Sequence, residues 1–315
     1  MKSTDPSVYV VILNFNHLDE LKLTLNSFNN QDYSNLKLLI SDNGSADNSI
    51  EWVKENYPEV ILLKNDKNLG WSGGNNVGIK YALSEKADYI LLSNNDIVID
   101  NKSLITRLVE DLQTLTDNQV HLLGTKVNYF PDKSKTHNTG WIMYPKAEKK
   151  AYYFNEYRSK IKNNLGDEYC YVDSADGCFF LIDSVVFRNI GLFNEDLFMY
   201  ADEIEFSLRA WENGYRSAVN KTLTIFHKVG TSSIPNSPFS NYYRYRNLLF
   251  LIKKTRLKNY FLRVYFKDII KMSFKLLFSQ QNDISKKLQI FIAIFKGIKD
   301  GIFNNMGMRF MPKSK

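Results

Sequence analysis

The sequence predicts an α/β fold: a mainly parallel sheet flanked by helices, continued by a C-terminal amphipathic helical extension. Two observations predict the body. Within the first hundred residues, four short apolar runs alternate with segments of helical spacing, the rhythm of strand–helix–strand units. The run Tyr89–Leu92 is continuous rather than alternating, as expected of a strand covered on both faces. A third observation predicts the extension. Residues 241–315 carry 17 Lys and Arg against three Asp and Glu, a net of +14, which leaves −7 of the overall +7 for residues 1–240. We therefore divide the chain at 240/241 into an acidic α/β body and a basic helical tail. An anionic surface is the expected partner of such a tail.

The first run, Val8–Leu13, is followed by the loop Asn14-Phe15-Asn16-His17 and then by Leu18, Leu21, Leu25 and Phe28 at helical spacing. The second, Leu36–Ile40, ends in Ser41-Asp42-Asn43-Gly44-Ser45. Asp47 can cap a helix reaching Tyr57, and Pro58 stops it. The third, Val60–Leu63, leads to a glycine-rich loop over residues 68–76 and a helix from about residue 75 to 83. The fourth, Tyr89–Leu92, ends in Ser93-Asn94-Asn95-Asp96. Leu104, Ile105, Leu108, Leu112 and Leu115 give a further helix, and His121–Val127 a further strand. Residues 129–168 are irregular. Tyr169–Asp173 and Gly177–Ile182 read as strands. A helix containing Leu208 and Trp211 stops at Gly214, and strands Arg216–Val219 and Leu223–Phe226 precede His227.

In open parallel sheets, ligands gather outside the carboxyl ends of the strands. The four loops at that edge offer Asn, Asp, Ser and backbone amides. This suits a nucleotide, with Asp or Asn for the base edge and ribose hydroxyls and glycines to let the backbone come close. Taken singly, each loop is more often plain turn chemistry; it is the four on one edge that point to a ligand. The glycine loop is neither a G-x-G-x-x-G following a strand nor a Gly-Lys-Ser/Thr loop, so dinucleotide and P-loop sites are excluded. Asp96, one carboxylate among amides, suggests a divalent metal with other ligands supplied from elsewhere. Only Cys170 and Cys178 are present, too few for a disulfide framework or a zinc site, so a reducing compartment is expected. Cys178 reads as a small buried residue. The opening residues lack a signal-peptide layout and no run of 18 apolar residues occurs, so no transmembrane helix and a cytoplasmic location are expected. An acidic body without a recognition motif excludes nucleic acid as partner.

Taken in order, VVILNFN, LLISDNGSADNS, NLGWSGGNNVGI and LLSNND resemble the family 2 inverting glycosyltransferases, in particular the bacterial rhamnosyltransferase-like branch that builds cell-surface polysaccharides. The resemblance covers roughly residues 7–247. It implies a GT-A fold and transfer of a sugar from a nucleotide-diphosphate-sugar donor to a hydroxyl of a lipid-linked (polyprenyl) or cell-surface glycan acceptor. It puts Asp42, with Asn43, at the nucleobase, and Asn14 and Asn16 beside base and ribose. Asn68, Gly70, Gly74 and Asn75 would line the nucleotide and donor-sugar side. The family's D-x-D motif, which holds Mn2+ or Mg2+ on the diphosphate, falls on Asn94-Asn95-Asp96, with Asn94 in place of the first carboxylate. The segment Ser174–Cys178 resembles one that brings Asp176 and Gly177 close to the donor sugar, and Gly191–Glu195 matches the family's GxF(D/N)E turn. The Glu-Asp-x-Asp pattern falls on residues 202–205, with Glu203 at the base position and Asp202 as reserve. His227 resembles the histidine of H-x-x-G-x-S, which can complete the metal site, and Ser232 and Ser233 would then face the diphosphate. Tyr242–Asn247 resembles a Tyr…Arg-Asn segment that follows the body.

The residues themselves support this chemistry. Inverting transfer is a single displacement that needs a base for the acceptor hydroxyl, and a carboxylate serves if its pKa is raised. Asp202, Glu203 and Glu205 crowd like charges into one helical turn; the alternative is a solvated acidic face. His227 reads equally as a core histidine, and His137 as a solvated loop residue. In the tail, Arg263, Lys267, Lys271 and Lys275 recur every four residues among aromatics, and a second amphipathic stretch spans Ile284–Ile298. Such helices lie on anionic membrane surfaces. We therefore expect peripheral contact through residues 248–299 at the inner face of the cell membrane, the alternative being an appendage packed on the body. Two other classes compete. A nucleotidyltransferase would carry a basic glycine loop after the first strand, which Asn14–His17 is not. A non-catalytic nucleotide-sugar-binding protein of the same fold is compatible with Asn94 and with Glu at position 203.

Overall fold

The computed structural model describes residues 5–142, 152–153, 165–229, 237–254 and 284–310, with residues 258, 261–263, 265–267 and 269–270 between. The first half contains β1 (Val8–Asn14), α1 (Leu18–Asn29), β2 (Leu36–Asp42), α2 (Ser49–Asn56), β3 (Ile61–Lys64), α3 (Gly70–Ser84), β4 (Tyr89–Asn94), β5 (Ile97–Val98) and α4 (Leu104–Leu115). Then come β6 (Val120–Tyr129), β7 (Thr136–Asn138), β8 (Trp141–Ile142), β9 (Tyr152–Tyr153), β10 (Tyr169–Val172), β11 (Phe179–Asp183) and α5 (Ser184–Ile190). The chain continues through α6 (Asp202–Glu212), β12 (Arg216–His227), α7 (Pro238–Lys254) and α8 (Ile284–Ile302).

The sheet runs β10-β12-β6-β11-β4-β1-β2-β3. Its β3-β2-β1-β4 half is parallel, as the strand–helix rhythm predicts. Beyond β4 the sense becomes mixed. β11 inserts antiparallel between β4 and β6, β12 runs parallel to β6, and β10 closes the edge antiparallel. The two strands read around residues 216–226 are one strand, with an irregularity between Asn220 and Thr224.

Strand β1 displays why its run is apolar throughout. Val8, Val10 and Ile12 enter a core with Leu21, Leu25, Phe28 and Leu108 of α1 and α4. Tyr9 and Val11 enter the opposite core, with Ile79, Ala82, Phe187 and Phe206 of α3, α5 and α6. Side chains two apart share a face, so a strand covered on both sides has no polar positions.

The glycine-rich stretch is a correction. It is not a loop up to residue 75; helix α3 begins at Gly70. A Cβ on Gly74 would stand 2.4 Å from Leu13 Cδ1 and 2.7 Å from the Asn43 amide, and one on Gly78 2.4 Å from Val11 Cγ1. These glycines let α3 lie close on β1 and β2, so Gly74 faces the sheet.

The 240/241 division falls inside α7, which is continuous from Pro238. α8 packs on α7 through Ala293, Gly297 and Gly301, flanked by Ile290, Ile294 and Ile298. A Cβ on Gly297 would meet Tyr242 O at 2.4 Å, and one on Gly301 would meet Arg246 O at 3.0 Å. Ala293 is fully buried there. The bulky side of α8 points outward, with Leu288, Phe291, Ile292, Phe295 and Ile302 exposed. Lys271 and Lys275 of the expected basic stripe lie outside the described residues. Among the described residues, no helix is long and apolar enough to cross a membrane.

Candidate active site at the carboxyl edge of the sheet

Parallel pairing aligns the strand ends. Asn14 stands opposite Asp42, and Leu13 opposite Asn94. The chain turns out of β1 through Asn16 and His17, both left-handed at φ 59° and 62°, a conformation Asn and His adopt more readily than most residues. Asn14 Nδ2 donates to Asp42 Oδ1 (2.9 Å), and Asn95 Nδ2 donates to Asn14 Oδ1 (2.8 Å) and Asn16 O (3.1 Å). Asp42 is fully buried and also accepts from the N–H groups of Gly44 and Ser45 and from the Ser45 hydroxyl. Asn14, Asn16, Asp42 and Asn95 thus form one network that joins three strand ends.

Asn43 Nδ2 donates to Gly70 O (2.9 Å), and Asn68 Oδ1 accepts from Gly70 N (2.8 Å). Together they set the entry into α3. Asn75 donates to Trp71 O, while its buried Oδ1 has no hydrogen-bond partner among the described residues. Asn94 accepts from the indole of Trp71 at 3.4 Å.

His227 reaches this edge because β12 pairs with β5, setting His227 opposite Ile97. Its Nε2 lies 3.0 Å from Asp96 Oδ1. Burial alone would lower the His227 pKa; the hydrogen bond to Asp96 and the charges of Asp96 and Asp176 outweigh it and raise it. β11 pairs with β4 and carries Asp176 to the same place. Burial pushes the Asp176 carboxyl up, but the N–H of Cys178 and the nearby His227 and His137 hold it below its usual range. Asn138 donates to Asp176 at 2.7 Å, and His137 Nδ1 lies 3.7 Å from it. His137 also stacks edge-on against His227, ring centres 5.6 Å apart. His137 is therefore a half-buried member of this cluster rather than a solvated loop residue, which corrects the sequence reading.

Among the described residues, no group of three or more His, Cys, Asp and Glu side chains could hold a metal ion. The pair of buried Asp96 and partly buried His227, converging through one oxygen and one nitrogen, fits a cation that draws the rest of its shell from a diphosphate and water. Ser232 and Ser233 lie outside the described residues.

Helix α6 carries the acidic turn. Asp202 is 1% exposed; its Oδ2 accepts from the Ser72 hydroxyl, and its Oδ1 has no hydrogen-bond partner among the described residues. Burial pushes its carboxyl up to about 7. Glu203 is half-buried and lies over Gly177: a Cβ there would stand 3.4 Å from Glu203 Cγ and 3.5 Å from its carboxyl carbon. Burial, then the charge of Asp202, push Glu203 up to about 8. Glu205 turns away to an ion pair with Arg209 (3.0 Å). Of the three acids, Glu203 alone combines partial exposure, a raised pKa and a place beside Asp176.

Residues 9–181, more than half of the chain, match the profile of Glycosyl transferase family 2. The chain belongs to glycosyl transferase family 2. This family 2 glycosyltransferase is similar to the low-salt glycan biosynthesis hexosyltransferase Agl10 of Haloferax volcanii, 28% identical over 208 residues that cover 61% of this chain and 62% of that one. It thus spans under two thirds of that relative. It is also similar to the dTDP-rhamnosyl transferase RfbF of Shigella flexneri, 24% identical over 257 residues, covering 79% of this chain and 80% of that one. Among solved structures it resembles the mannosyltransferase PcManGT of Pyrobaculum calidifontis in complex with GDP-Man and Mn2+. The TM-score is 0.59 at 12% identity, over 95% of this chain and 88% of that one. At that identity the likeness establishes the fold, GT-A, and nothing more.

Sequence reasoning missed Trp71 and Ser72, which hold Asn94 and Asp202, because both were read as part of a nucleotide-facing loop. It also missed the engagement of His137, which lies in a segment without periodicity.

Proposed function

We propose that this family 2 enzyme is an inverting glycosyltransferase. It moves a sugar from a nucleotide-diphosphate-sugar donor to a hydroxyl of a polyprenyl-linked or cell-surface glycan acceptor. The observation that carries the reading is Glu203, half-buried beside Gly177 and Asp176, with its carboxyl raised to about 8. Glu203 takes the proton of the acceptor hydroxyl as that oxygen attacks the anomeric carbon from the face opposite the diphosphate. The bond from the anomeric carbon to the diphosphate oxygen breaks, and the nucleoside diphosphate leaves with its electron pair. Asp202, enclosed and bonded to Ser72, fixes the start of α6 and stands as reserve base. Asp96 and His227 would hold Mn2+ or Mg2+, which when bound neutralises the leaving diphosphate. The loops of Asn14, Asn16, Asp42, Asn43 and Asn95 take the base and ribose. Asn68 and Gly70 shape the turn into α3, Gly74 seats that helix on β1, and the buried Oδ1 of Asn75 accepts from the donor. Asp176 lies at the donor sugar.

The outward apolar side of α8, with Lys296 and Lys299 beside it, supports peripheral contact with the inner face of the cell membrane through residues 248–299. The experiment is a panel of UDP-, GDP- and dTDP-sugars with Mn2+ and a lipid extract, read as release of nucleoside diphosphate. Release from one donor is expected. Donor binding without release from any member of the panel supports the non-catalytic reading instead.

A further inference from the structure

The acidic turn of α6 is presented by a strained segment. Phe198 has φ 64° and ψ −54°, and Met199 N donates to Leu197 O at 2.7 Å, closing a γ-turn. Tyr200 and Ala201 follow at φ 69° and 66°. Three residues with a side chain in four positions thus hold a left-handed backbone that L-residues rarely adopt. Such a segment persists only where its surroundings over-determine it.

The surroundings are specific. On one side, Trp71 N donates to Phe198 O at 2.6 Å. Gly70 makes room, since a Cβ there would stand 2.1 Å from that same oxygen. On the other side stand Arg246 and Asn247 of α7, both fully buried. The two N–H groups of Asn247 Nδ2 are shared among Leu197 O (3.0 Å), Met199 O (2.8 Å) and Tyr200 O (2.7 Å). Arg246 donates to Asp196 O (3.1 Å), Leu197 O (2.8 Å) and Gly307 O, and through Nε to Asn247 Oδ1 (2.9 Å). Its guanidinium lies over the Tyr243 ring at 4.7 Å. A buried cation is costly, and among the described residues no carboxylate stands at ion-pair distance. Its terminal N–H groups go to backbone carbonyls instead, which is a use of charge that fixes a chain path. Gly307, beyond α8, also donates its N–H to Asp196 O at 2.7 Å.

We infer that Arg246 and Asn247 are positioning residues. They clamp the carbonyls of residues 196–200 in the strained turn that aims Asp202 and Glu203 into the site. The tail thereby supplies part of the catalytic apparatus. The inference rests on Glu203 as base, but its structural half does not.

The test is Asn247→Ala in the full chain, with Arg246→Lys, which keeps the charge and loses the planar fork. Hydrogen–deuterium exchange reads the loop without any substrate. Amides of residues 196–203 are expected to exchange at least about tenfold faster in Asn247→Ala, with the β1–β4 sheet unchanged. Turnover of the donor found by the nucleotide-sugar panel is expected to fall about a hundredfold in kcat, the scale of a small misplacement, with the donor KM held. Ala201→Gly, which removes the side chain from one left-handed position, should recover part of that loss in the double variant. Exchange in the loop equal to the parent, in both folded variants, overturns the clamp. So does a loss confined to donor KM. Should Asn247→Ala not fold, Arg246→Lys decides by the same readouts. A parallel Glu203→Gln protein with full turnover removes the base assignment alone, and loop exchange still judges the clamp.

Discussion

Replacing Glu203 by Gln should abolish most turnover and, at alkaline pH, make the fold more stable. Burial and the Asp202 charge hold the Glu203 carboxyl up at about 8, against an ordinary 4.5. At pH 7 roughly a tenth of it is ionised. A rate that depends on the ionised form therefore rises about tenfold per pH unit below 8 and levels above it. The stability effect runs the other way. A carboxyl whose folded pKa lies above its unfolded one gives its full contribution below about 4.5, and that contribution is lost as pH rises through about 8. At about 1.36 kcal/mol per pH unit, the gap between the two values corresponds to roughly 5 kcal/mol as an upper bound. Glu203 is only half-buried, so solvent screening reduces this to on the order of 2–3 kcal/mol. Gln cannot ionise and escapes the loss. The stability difference between variant and parent should thus grow from near zero at pH 5 to about 2–3 kcal/mol at pH 9, while kcat falls by about 10²–10⁴. Asp202 is present in both proteins and cancels to first order. Urea unfolding at pH 5, 7 and 9 measures the first quantity, and nucleoside diphosphate release across the same range measures the second. Parallel stability–pH curves for the two proteins would refute the electrostatic argument, and undiminished turnover would refute the assignment of the base.

Gly74→Ala places a methyl 2.4 Å from Leu13 Cδ1 and should cost about 1–3 kcal/mol by overpacking, read in urea; no change would mean that α3 can lift from the sheet without penalty. His227→Ala should raise the Mn2+ concentration needed for half-maximal turnover by about tenfold or more, and an unchanged Mn2+ titration would remove His227 from the metal site. Phe291→Ser with Phe295→Ser, which are 60% and 64% exposed, should weaken sedimentation with anionic vesicles while leaving thermal stability near the parent's; vesicle binding that does not change would point to a different occupant of that face.

The parallel half of the sheet was legible because buried strands have no polar positions, as β1 illustrates with its residues divided between two cores. The site's edge was legible for the same reason: the strand ends are where the apolar runs stop. Two features were not. Glycines in the stretch 68–76 could serve either a ligand or a neighbouring strand, and only the approach of α3 to Leu13 and Val11 decides for the strand. The antiparallel insertion of β11 could not be read from its own residues either, since Phe179–Asp183 is as apolar as a parallel strand. Asp176 and His137 reach Asp96 only through that pairing and the excursion at β7. The acidic turn was readable as chemistry, but not which acid is enclosed. That depends on Ser72, far away in sequence.

The paired helices at the C-terminal end bear on how such enzymes can be recombined. Arg246 and Asn247 sit in α7, beyond the point where the charge of the chain changes sign, yet most of their hydrogen bonds end on residues 196–200. A chimera joined at 240/241 would exchange the surface-facing helix and, unintentionally, the groups that bond the turn before α6. Joining after Asn247 would keep those bonds but set a foreign second helix against Tyr242 and Arg246 of α7, where only residues as small as Gly297 and Gly301 allow the close approach. The transferable unit is therefore α7 and α8 together, carried with a turn of compatible shape. Tails could be exchanged freely only among relatives that share both.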